Sequence, residues 1–104
     1  MIDEPKLVHD TRCIISVNAA ACDLFRCDPI ALLDMDMLEL LPDDIDRRWL
    51  AKLRLSEMRN NREPPPYVHT FRRHDGTLFY GAVMTEVLGA GQFETTVVYL
   101  TDKQ

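Results

Sequence analysis

Three cysteines are the residues of this sequence with the greatest capacity for metal or redox chemistry. Cys13, Cys22 and Cys27 are spaced nine and five residues apart. Zinc sites use closely spaced cysteine pairs and redox thiols commonly form Cys-X-X-Cys motifs, and neither pattern occurs here. An odd number of cysteines does not favour a disulfide framework either. We therefore expect three reduced thiols that pack as small core residues, a cytoplasmic location and no metal site.

The acidic side chains offer a second route to chemistry, but their positions indicate structural roles. Asp28 precedes one predicted helix, Asp43 and Asp44 begin another, and Asp75 precedes a glycine in a predicted turn. Capping and turn formation account for carboxylates at such positions. The sequence contains no glycine-rich phosphate loop and no HExxH or GxSxG motif. We therefore expect no catalytic activity in this domain and no catalytic residues.

Length and composition define the class of protein to which these residues belong. The chain has 104 residues, 46% of them hydrophobic and 28% charged, with a formal net charge of −5. This length fits a single domain, 1–104, with one hydrophobic core. The excess of acidic residues argues against direct contact with nucleic acid, and no segment is apolar for long enough to cross a membrane.

Hydrophobic periodicity and breaker residues predict an α+β order of elements. The run 7–17 predicts two short strands with a break at Asp10 and Thr11, and Asn18 is placed to cap the helix that follows. Pro29 suits the first turn of a helix, whereas Pro42 ends one. The predicted helices cover 19–25, 29–33, 36–41 and 43–60, and the later strands cover 67–73, 77–88 and 93–101.

The motifs in this order resemble those of PAS domains. The segment ISVNAAACDLFRCDPIALLDMDMLELLPDD resembles the front half of the family, and FRRHDGTLFYGAVMTEV with YLTD resembles the back half. The resemblance runs from about Leu7 to Asp102. It implies a five-stranded antiparallel sheet with short helices and one long helix packed on one face. It also implies an output junction at Asp102, although Lys103 and Gln104 follow where the family often has Ile-Thr.

The resemblance also indicates which cofactors to test. In flavin-binding relatives a reactive cysteine precedes the long helix, and here that stretch reads DMDMLELLP. The positions of the flavin-binding amides carry Phe71, Gly81 and Leu100, which offer the ring no side-chain hydrogen bonds. Haem relatives use a histidine of the long helix, and here only His69 could substitute for it. We therefore expect neither flavin nor haem, and we expect His9 and His74 to be solvated.

The predicted inner face offers candidates for a ligand pocket, although the same residues could simply fill the core. In the long helix, Ile45, Trp49 and Leu53 are predicted to point inward, and Ala51, Leu55 and Met58 to lie on another side. Together with the resemblance, these patterns select the following pocket candidates: Phe25, Leu33, Leu41, Trp49, Leu53, Tyr67, His69, Phe71, Val83 and Val98.

The strands predict that the sheet is apolar on both faces. If Phe79, Gly81, Val83 and Thr85 face the helices, their neighbours face away from them. A sheet with one solvated face should be polar there, so an apolar outer face predicts a covering partner. We expect a homodimer, or in the parent protein a flanking helix, on this face. The predicted contact residues are Tyr80, Ala82, Met84, Leu88, Val97 and Tyr99.

Two functions remain open at this stage. By resemblance, the chain is a sensory and dimerisation module of a longer protein. It would regulate, through helical linkers, a histidine kinase, a cyclic-dinucleotide enzyme or a transcription regulator. The alternative is a sensor that binds a small hydrophobic metabolite, or haem, between helices and sheet.

Overall fold

The computed structural model describes residues 3–104, so the first two residues of the predicted domain 1–104 lie outside the described part. The fold is α+β, with five strands, three α-helices and a short 3-10 helix over Met37–Leu40 within that part. The elements are β1 (Lys6–His9), β2 (Ile14–Val17), α1 (Ala19–Phe25), α2 (Pro29–Leu32), α3 (Ile45–Arg59), β3 (Tyr67–Arg72), β4 (Leu78–Gly89) and β5 (Gln92–Asp102).

The strands form one antiparallel sheet in the order β2-β1-β5-β4-β3. The predicted five-stranded antiparallel sheet is therefore confirmed. The last three strands are neighbours because each joins the next through a hairpin. Gly76 has a positive φ angle in the first turn, and Gly89, Ala90 and Gly91 have positive φ angles in the second. The strand β1 pairs with β5, which brings the two ends of the described chain together in the sheet.

Asn18 shows how one side chain connects the sheet to the first helix. Its Oδ1 accepts hydrogen bonds from the backbone of Ala21, at 2.9 Å, and of Lys6, at 3.0 Å, while its Nδ2 donates to Glu4 O at 2.8 Å. The predicted helix cap is confirmed. Because the same amide also holds the start of β1, α1 is fixed against the sheet edge.

Three predicted orientations on β5 are wrong. Val97 and Tyr99, which we expected on the outer face, pair directly with Val83 and Gly81, and opposed residues of an antiparallel pair share a face. Val97 is completely buried, and the Tyr99 ring centroid lies 6.0 Å from that of Phe79. Val98 consequently lies on the outer face and not in the core.

The long helix α3 is rotated by about half a turn from its predicted orientation. Ala51, Leu55 and Met58 are buried against the sheet and the 3-10 helix. Ile45, Trp49 and Leu53 are instead 84%, 63% and 45% exposed. These three were predicted to point inward because they repeat every four residues, but a repeat alone does not say which side of a helix is covered.

The core lies between the inner sheet face and the helices. Phe79, Gly81, Val83 and Thr85 are all buried on the inner face of β4, as their alternation along the strand predicted. A Cβ at Gly81 would lie 2.8 Å from Val97 Cγ1, so Val97 packs directly over the Gly81 backbone.

The cysteines are free thiols, with Cys22 buried and the other two half-buried. Within residues 3–104 no helix is long and apolar enough to cross a membrane.

Candidate functional site

A small cavity lies between the sheet, the 3-10 helix and α3. Its volume is about 40 Å³. A water molecule needs roughly 10–15 Å³ of volume measured in the same way, as the space open to the centre of a water-sized sphere. The cavity therefore has room for about three waters or a ligand of similar size. It is bordered by Leu7, His9, Met37, Leu38, Leu40, Leu41, Ala51, Leu55, Met58, Tyr67, His69, Phe71, Val83, Thr95 and Val97.

His9 borders this cavity as part of a buried polar chain. Its Nδ1 accepts from the backbone N–H of Thr11 at 3.1 Å, so the neutral ring carries its proton on Nε2. Nε2 then donates to Thr95 Oγ1 at 2.8 Å, and that hydroxyl lies 2.9 Å from Thr85 Oγ1. Burial lowers the pKa of His9 from 6.5 to about 4. The expectation that His9 is solvated is therefore wrong, because its side chain is completely buried and stacks on the Phe93 ring.

His69 is the other histidine of the cavity, and its bonding is incomplete. It is buried on β3, and its Nε2 has no hydrogen-bond partner among the described residues. Burial, and then the positive charges of Arg54 and Arg47 on α3, lower its pKa to about 4. The ring is therefore neutral at pH 7. A buried polar atom without a partner costs free energy, which a hydrogen-bonding ligand would recover.

The predicted pocket residues fall into two groups. Leu41, Tyr67, His69, Phe71 and Val83 border the cavity. Phe25 is buried beside it, with its ring against those of Phe71 and Phe79. The remaining four do not border it, because two lie on the exposed side of α3, one at the end of α2 and one on the outer sheet face. These four are Trp49, Leu53, Leu33 and Val98.

Several bordering residues were not among the predicted pocket candidates. Leu7 and His9 come from β1, and Thr95 and Val97 come from β5. The alternation of Leu7 and His9 along β1 was the available signal, since both then share one face. The sequence did not show that β1 inserts beside β5, and this pairing brings His9 to Thr95.

Two positions compared above with the flavin-binding amides, Gly81 and Leu100, offer a flavin no side-chain hydrogen bonds. Gly81, at a position where flavin-binding relatives carry an amide, is covered by Val97 and Phe71, so no longer side chain has room there. Leu100, at the other amide position on β5, is half exposed in a bulge at the end of the strand. The cavity is also several times smaller than the roughly 300–1,000 Å³ of typical cofactor pockets. The same limit applies to haem, although the neutral His69 ring is a chemically suitable ligand.

A second cluster of polar groups surrounds Asp102, the predicted output junction. The buried guanidinium of Arg73 donates to Asp102 Oδ1 at 2.8 Å and to Leu24 O at 3.1 Å. Tyr99 Oη also donates to Asp102 Oδ1, at 3.2 Å. The hydrogen bonds from Arg73 and then Tyr99 hold the pKa of Asp102 below its usual value. The end of β5 is thereby tied to the end of α1.

The outer sheet face carries an apolar surface, which we call the outer patch. Val68, Ala82 and Val98 lie side by side on three neighbouring strands. Met84 and Leu100 are 42% and 49% exposed. The outer patch consists of Val68, Tyr80, Ala82, Met84, Leu88, Val98 and Leu100.

Among residues 3–104, no cluster of three or more side chains is placed to bind a metal ion.

Comparison of the chain with known proteins gave matches by structure only. The sequence matches no protein-family model and no curated protein. A PAS domain in complex with ethanol, from a LuxR-family transcriptional regulator of Burkholderia thailandensis, superposes with a TM-score of 0.77 at 18% identity. That match covers 93% of this chain and 88% of the other.

Two further solved structures also superpose on most of this chain. A domain of a sensory box sensor histidine kinase/response regulator from Geobacter sulfurreducens has a TM-score of 0.76 at 16% identity, covering 91% of this chain and 82% of its own. A LOV domain from a blue-light activated histidine kinase of Erythrobacter litoralis has a TM-score of 0.77 at 16% identity, covering 97% and 99%. Because it superposes on these structures over nearly its whole length, the chain has the PAS fold.

Proposed function

We propose that this chain is a non-catalytic sensory domain of a signalling protein, and that it pairs with a second copy through the outer patch. The observation that carries the proposal is the outer patch itself. Solved structures with the same fold belong to a transcriptional regulator and to histidine kinases, which supports a regulatory role. The effector, of one of the classes named above, would follow Asp102 through a helical linker.

The composition of the outer patch supports a protein partner. Its centre is the row Val68, Ala82 and Val98, and no charged residue lies within this row. A solvated face of an antiparallel sheet normally alternates to polar residues, so an apolar row across three strands indicates a covered surface. A surface that pairs with itself around a twofold axis needs no second kind of chain.

Substitution in the outer patch tests this proposal. Met84→Glu places a charge at an exposed position of the patch, so we expect the number of subunits in native mass spectrometry to be halved. Ile30→Glu is the matched control, because Ile30 is 87% exposed on α2, away from the sheet. Circular dichroism must show both variants folded. An unchanged subunit number for folded Met84→Glu would contradict pairing through the outer patch.

The cavity supports a second candidate function, the binding of a small neutral ligand. Its volume of about 40 Å³ suits roughly three or four non-hydrogen atoms. Its wall is mostly apolar, and the free Nε2 of the neutral His69 can bond one hydroxyl group. We infer a short-chain alcohol or a molecule of that size and polarity. The structurally similar Burkholderia domain was solved in complex with ethanol.

A titration with ethanol and with 1-propanol tests the second candidate. In ¹H–¹⁵N spectra we expect saturable shifts confined to residues that border the cavity, together with a shift of the His69 ring nitrogens. His69→Phe should abolish saturation, whereas His74→Phe should leave it unchanged because His74 is exposed beside the β3–β4 turn. Shifts that grow linearly and spread over the surface would mean solvent effects and would overturn this candidate.

A further inference from the structure

The side of α3 that faces away from the domain carries an apolar stripe, which we define as Ile45, Trp49 and Leu53. All three side chains are exposed, by 84%, 63% and 45% respectively, and the neighbouring Leu50 is 41% exposed. Trp49 is the single tryptophan of the chain. Contiguous exposed apolar surface commonly marks a docking site, and tryptophan is the residue most enriched at the energetic centres of interfaces.

The two borders of this stripe carry opposite charges. At about 100° per residue, Asp46 and Glu57 lie roughly 60–80° to one side of Trp49, and Lys52 lies about 60° to the other side. None of these three forms an ion pair with another residue in the described range 3–104. The helix surface therefore has an acidic border, an apolar centre and a basic border.

This pattern is complementary to itself in only one arrangement. When two copies of a helix pair in parallel around a twofold axis, the left border of each meets the right border of the other. Lys52 of one copy then faces Glu57 of the other, five positions further along, twice in the pair. Antiparallel pairing would instead place acidic border against acidic border and basic against basic.

We propose that the apolar stripe of α3 is a second self-association surface, which binds α3 of another copy of this chain in parallel. The stripe and the outer patch lie on opposite sides of the sheet, because α3 packs on the inner face. An assembly that uses both surfaces contains more than two chains, and this proposal stands independently of the one made for the outer patch.

Charge reversal at the two borders tests the parallel pairing. Lys52→Glu and Glu57→Lys each place like charges across the twofold axis, and we expect each to weaken association at least about fivefold in sedimentation equilibrium. The double variant restores opposite charges and should return the dissociation constant to near the wild-type value. Failure of the double variant to recover would overturn the parallel arrangement.

Trp49 itself provides the second test. Trp49→Glu should halve the subunit number and Met84→Glu should halve it independently, so the combined variant should be monomeric. Since Trp49 is largely exposed, circular dichroism should show the variant folded. In the wild type, tryptophan emission should move to longer wavelength on dilution as the stripe becomes solvated. An unchanged subunit number for Trp49→Glu, or emission independent of concentration, would overturn this surface while leaving the outer patch to be judged by its own variant.

Discussion

Arg73 shows how much of this fold can depend on one polar side chain. Its guanidinium donates to the carbonyl of Leu24, to the hydroxyl of Thr77 and to the carboxylate of Asp102. It also lies over the Phe79 ring, with 4.8 Å from Cζ to the ring centroid. A buried guanidinium is stable only when its donors are paired, and here each partner belongs to a different segment of the chain.

We predict that Arg73→Met lowers the free energy of unfolding by about 2 kcal/mol, because it leaves the Leu24 carbonyl without its partner and removes a charge-assisted hydrogen bond. Urea unfolding checks this value. Arg72→Met is the matched control: Arg72 is half-buried, makes one bond of 3.2 Å to Glu39 O, and should cost below about 1 kcal/mol. Equal costs at the two positions would show that the Arg73 network does not stabilise the fold.

At the scale of the element, α3 explains why an apolar repeat can point outward. Its inner side combines the buried Ala51, Leu55 and Met58 with two arginines that contact β3. The Arg54 Cζ lies 3.7 Å from the Tyr67 ring centroid, and Arg47 donates to Thr70 Oγ1. Ala51 belongs to the same buried cluster as Phe71 and Val83 of the sheet. The four-residue repeat of Ile45, Trp49 and Leu53 predicted the opposite orientation, because it did not take these arginine contacts into account.

Two leucines of α3 test this orientation directly. Leu55→Ala should destabilise the monomer by about 3 kcal/mol, because it opens a cavity beside Met58 and Phe93. Leu53→Ala should cost below about 1 kcal/mol, since Leu53 is 45% exposed. Both values should be measured by urea unfolding at concentrations below self-association. The reverse order of costs would contradict the described orientation of α3.

At the scale of the whole molecule, the domain presents apolar surface on two opposite sides and a small cavity between them. The outer patch lies on one side of the sheet, and the stripe with Trp49 lies beyond the core on the other. The Asp102 network reaches the end of β5 from α1. A ligand in the cavity would contact both the sheet and α3, and so would act on the elements that carry the two surfaces.

The sequence alone determined the order, type and approximate limits of the elements. Local signals were sufficient for this: Asn18 capping, Pro29 and Pro42 around the short helices, and the Asp75-Gly76 turn. Such signals act within a few residues, so they do not depend on how the chain folds back on itself. The inner face of β4 could also be predicted, because its alternation of Phe79, Gly81 and Val83 is clear.

Only the tertiary structure decided which side of β5 and of α3 is covered. Val97 and Val98 are adjacent and chemically identical, so the face of each depends on the pairing with Val83 and Ala82. In α3 both stripes are apolar, so the covered side depends on which of them packs into the core with the sheet. His9 reached the cavity because β1 inserts beside β5 across most of the chain length. Pairings between strands so far apart in the sequence have no local sequence signal. They depend on which distant apolar surfaces become buried against each other.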